Sequence, residues 1–118
     1  MQDEHTDDYR KLMNQKRFLN DIEQGIRIAN REIIDKRIPV VTRDSVLTFA
    51  VTIARTRARY LEAAFRASDT DKGEPLDESE VKQLRMHREA YEESRAAFDA
   101  LRYAIEQGYV AVEESSGS

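Results

Sequence analysis

The sequence predicts an all-α fold: an elongated up-down-up three-helix bundle with coiled-coil-like heptad packing. Two observations carry this. Apolar residues recur at intervals of seven in three separate stretches, each too long for a strand. Among 118 residues there are only four Gly and two Pro, too few for an all-β domain that turns every ~8–12 residues. That length suits a single domain with one modest core. The domain is assigned to residues 1–112, with helices at about 7–38, 43–68 and 78–107, and residues 113–118 are read as a disordered tail.

In the first helix Leu12, Leu19, Ile26 and Ile33 lie seven apart, and Ile22 and Ala29 fill companion positions three residues on. Together they form one apolar seam, weakened at both ends by Gln15 and Lys36. Asp7 and Asp8 near the start and Lys36 and Arg37 near the end suit the helix dipole. Pro39 stops the helix and biases Ile38 towards extended backbone. Gly25 sits mid-helix, at a cost of about 1 kcal/mol against Ala.

Thr42 is the expected N-cap of the second helix, with Asp44 in its first turn. This helix carries two stripes. Leu47, Ala54 and Leu61 repeat at seven, flanked by Val51, Ala58 and Phe65, while Val46, Phe49, Ile53 and Tyr60 occupy an adjacent face. So wide an apolar arc predicts a helix covered from two directions. The second stripe is the expected surface for a protein partner or for self-association as a homodimer.

The third helix repeats the pattern with Leu84, Tyr91, Phe98 and Ile105, and with His87, Ser94 and Leu101 as companions. Gly108 is a natural C-cap because glycine adopts positive φ at no steric cost. Links of about five and nine residues make successive helices antiparallel neighbours.

The net charge of −4 is unevenly spread. Residues 42–68 hold five arginines against two acids, whereas residues 69–118 hold thirteen acids against six bases. The two segments should attract each other, and the overall acidity opposes nucleic-acid binding. With no cysteine, disulfides, thiolate metal sites and cysteine nucleophiles are excluded. No apolar leader opens the sequence, and its longest nearly apolar run, Val46–Ala54, is far below the ~20 residues that span a bilayer. The expectation is a cytoplasmic protein with no membrane contact.

The stretch Ser68–Glu80, SDTDKGEPLDESE, is the densest in chemistry. Counted from Asp69, it places Asp69, Asp71, Asp77 and Glu80 at ligand positions of a twelve-residue calcium loop, with Leu76 at the apolar position. It resembles an EF-hand over about eighteen residues, from Ala64. Gly73 falls where that family needs a side-chain oxygen and Glu74 where it needs glycine. The competing reading is a capped turn: Asp77 as N-cap, Glu80 closing a capping box, and Leu76 with Val81 as a hydrophobic staple. The capped turn is the preferred reading, so no metal ligand is assigned.

His5 and His87 lack a second histidine at metal-ligand spacing, and no phosphate-binding or nucleophile motif occurs. Arg10, Arg27 and Arg31, the Thr42–Ser45 stretch and Arg57 offer a basic set for a small anion. Such a set is similar to the arginine-lined bundles of chorismate mutases, although the family's full pattern does not fall in register. Arg55, Arg59 and Arg66 share an outward face. No catalytic, cofactor-binding or metal residue is assigned. The expected function is a non-enzymatic helical protein-interaction domain, a small adaptor, regulator or assembly subunit. The alternatives are a calcium-binding domain at 69–80 and a small all-helical enzyme acting on an anionic metabolite.

Overall fold

A computed structural model describes residues 4–114. The fold is all-α, with three helices: α1 Glu4–Arg37, α2 Arg43–Asp71 and α3 Glu78–Glu106. Their boundaries follow from local chemistry. Thr42 caps α2, its Oγ1 accepting from the Ser45 N–H at 3.0 Å while Ser45 Oγ accepts from the Thr42 N–H at 3.0 Å. Asp77 caps α3 in the same reciprocal way with Glu80, at 2.8 and 3.0 Å. Beyond α3, Gly108 takes φ +73°. There the Tyr109 N–H reaches back to the Ala104 carbonyl at 2.8 Å and the Gly108 N–H to Ile105 at 3.1 Å, a Schellman closure.

Two helix ends depart from expectation. α1 starts at Glu4, ahead of the expected Asp7. α2 runs past Ser68 to Asp71, where Lys72 in the left-handed region (φ 51°) ends it.

α2 and α3 pack side by side as antiparallel bundle neighbours, the only helix pair so packed among the described residues. The Phe49 and Phe98 rings meet edge to face with centroids 5.5 Å apart. Val46, Phe49, Ile53 and Tyr60 on α2, with Leu84, Tyr91, Phe98 and Ile105 on α3, are the half-buried positions of this interface. The stripe expected to meet a partner therefore faces α3. The contact that fixes this orientation is the Phe49–Phe98 ring pair.

The chain after α3 returns to the α1–α2 link. Val41 pairs in parallel with Val112, donating to the Ala111 carbonyl at 2.7 Å and accepting from the Glu113 N–H at 3.0 Å. The Glu113 carboxylate accepts from the Arg43 N–H at 2.8 Å, at the positive end of α2. Val41 and Val110, 6% and 7% exposed, are the two buried apolar residues among the described ones. Glu113, the expected start of the disordered tail, is thus an anchored residue; positions 115–118 of that tail lie outside the described residues.

α1 stands apart from the hairpin. It is about 51 Å long at 1.5 Å per residue. Near its C-terminal end Arg31 Nε donates to the Gly108 carbonyl at 3.1 Å. The molecule spans 84 × 45 × 27 Å with a radius of gyration of 24.2 Å, against about 13.5 Å for a compact chain of this length.

Candidate interaction surface

The placement of α1 leaves its heptad seam uncovered. Leu12, Leu19, Ile26 and Ile33 are each more than half exposed. Arg31 and Ile34, which face the hairpin, lie off this seam, so contact within the chain does not consume it. On α2 the Leu47–Val51–Leu61–Phe65 seam is likewise open, Phe65 being 76% exposed. Apart from both seams, an apolar recess of about 570 Å³ is lined by Ile34 and Ile38 from the end of α1, Phe49 from α2, and Leu101 and Ala104 from α3.

The acidic stretch is built as a turn. Asp69 and Asp71 are in the last turn of α2, and Glu78 and Glu80 in the first turn of α3. Only residues 72–77 are therefore non-helical, where a twelve-residue calcium loop would need most of 69–80. Among the described residues no group of three or more His, Asp or Glu is placed to hold a metal ion.

The Asp71 and Glu80 carboxyls face each other across the turn. The Asp77 backbone hydrogen bond lowers the Glu80 pKa. The hydrogen bond with Asp71, desolvation, and the negative charges of Asp71 and Asp77 outweigh it and hold Glu80 above its ordinary value. Asp71 Oδ2 is buried without a hydrogen-bond partner, so the two carboxyls pair favourably only while Glu80 holds its proton.

The folded state thus holds the Glu80 proton more tightly than the unfolded chain does. The associated stability is present at low pH and is lost as pH rises through the raised pKa. Asp71 also sits unfavourably at the negative end of α2, whose last turn has no basic residue. Asp71→Asn is expected to raise the melting temperature at pH 7, with the gain shrinking towards pH 4. Melting curves across that range check it; a gain independent of pH would contradict the carboxyl pairing.

The basic residues do not converge. α1 packs against neither α2 nor α3, so Arg10 and Arg27 do not join Arg57 at a common site. Arg57 is exposed and donates to the Tyr91 hydroxyl at 2.9 Å. Thr42 and Ser45 are occupied in capping. Arg59 and Arg66 line an open polar groove with Glu80 and His87, and Arg66 pairs with Glu62 at 3.4 Å. No helix among the described residues is long and apolar enough to cross a membrane. Comparison of the chain with protein-family models, curated proteins and solved structures finds no match to any of them.

Proposed function

We propose that the chain is a non-enzymatic helical interaction protein, an adaptor, regulator or assembly subunit, that works through the open seams of α1 and α2. The observation that carries this is surface area. The chain exposes 10292 Å², where a compact monomer of 13.7 kDa exposes about 6,600 Å². The surplus, roughly 3,700 Å² per chain, is ample for an obligate interface, which covers ~2,000–5,000 Å² over both partners. Each half-exposed Leu or Ile of the seams forgoes about 1 kcal/mol of burial until covered.

Solution X-ray scattering with light scattering over a wide concentration range tests the reading. Either an extended monomer or a self-assembled species is expected. A strictly monomeric particle with a radius of gyration near ~14 Å would overturn it, since α1 would then have folded back to cover both seams.

A further inference from the structure

We infer that α1 pairs with α1 of a second copy of this chain as an antiparallel two-stranded coiled coil in one particular register. This rests on the interaction reading above and names the partner of its α1 seam.

The argument is one of self-complementarity. A two-fold interface must match a surface to itself, and reversing one helix brings like flank positions together. Setting Leu19 opposite Ile22 of the second copy also sets Leu12 opposite its Ala29, an apolar centre beyond which Ile26 meets Gln15 and Ile33 meets Asp8 of the second copy. In the same register the flanks pair Lys16 with Glu23 of the second copy and Lys11 with its Glu32, each twice by symmetry. Basic flanks in the N-terminal half therefore meet acidic flanks in the C-terminal half. A parallel pair would instead bring Lys11 against Lys16 of the second copy.

The register also accounts for Gly25 inside a long helix. Phe18, 64% exposed, falls opposite Gly25 of the second copy, where a Cβ would meet nothing within 4 Å in the single chain. The ring gains a recess that any larger residue would narrow. Arg31 and Ile34, which hold α1 to its own hairpin, lie outside the seam. The two hairpins then sit at opposite ends of the paired helices.

The test is charge reversal on the full chain, read by sedimentation equilibrium, with circular dichroism to confirm unchanged helicity at these exposed positions. Lys16→Glu or Glu23→Lys alone is expected to weaken the dimer about tenfold, as two attractive pairs become repulsive. An equimolar mixture of the two variants should form a heterodimer, and the double variant should recover the native affinity. In a parallel pair Lys16→Glu would strengthen association instead, overturning the proposal. A dimer indifferent to both reversals would overturn it too, placing self-association elsewhere. An extended monomer at every concentration would refute the pairing while leaving the seams for a different protein. A compact monomer would remove both readings together.

Discussion

Phe98→Ala is expected to destabilise the chain by about 3 kcal/mol, towards the low end of the range for aromatic truncation in a core. Its ring closes on Phe49 at 5.5 Å, in the only helix–helix interface among the described residues. No second layer stands ready to collapse into the space, because α1 packs against neither α2 nor α3. For a domain of this length the loss corresponds to a fall in melting temperature of roughly 10–15 °C. Thermal melts at fixed protein concentration check it, since a dimer's midpoint moves with concentration. Phe65→Ala is the matched control. With 76% of that residue exposed on the open seam, its effect on a monomeric species should be small.

Val110→Asp is expected to open the junction between the C-terminal segment and the α1–α2 link without unfolding the hairpin. Burying an unpaired carboxylate costs several kcal/mol. The junction itself rests on two backbone hydrogen bonds, each worth about 1 kcal/mol net, and on the burial of Val41 and Val110 at about 1.5–3 kcal/mol each. These are similar sums, and the cheaper response is for the segment to swing out. The Val41 and Glu113 amides should lose hydrogen-exchange protection by about a thousandfold, while the central amides of α2 and α3 change little. Val110→Ala should give a smaller loss of the same pattern. Uniform loss throughout the hairpin would show that the junction and the helices unfold as one unit.

The features legible in the sequence are those set by neighbours in the chain. Pro39 ending α1, Thr42 and Asp77 as caps, Glu80 closing its box and Gly108 closing α3 depend on residues within a few positions, so local chemistry identified them. The choice between the two stripes of α2 was not legible. Both are apolar at helical spacing, and only the fit of Phe49 against Phe98 decides which one turns inward. The C-terminal junction escaped for a different reason. Val110 and Val112 alternate with smaller or polar neighbours over too few residues to signal a strand, and their pairing partner at Val41 is distant in sequence. The alternation, read beside the extended Ile38–Val41 link, was the available clue. The seam of α1 announced that it needs a partner, but a heptad repeat carries no information on whether that partner lies in the same chain. For the same reason the exposed α1 seam, the centre of the candidate site, was expected to be core.

The junction between Val41 and the Val110–Glu113 segment has a consequence for the order of events during synthesis. The residues that fasten the α1–α2 link are made only after all three helices have been made. Until then α1 is joined to the rest by a flexible tether, and the α2–α3 hairpin, whose contacts are close in sequence, can assemble unaided. A nascent chain would therefore present its α1 seam to neighbouring nascent chains before its direction is fixed. On the pairing inferred above, chains translated from one message would meet in that state, and assembly would precede the final locking of each subunit.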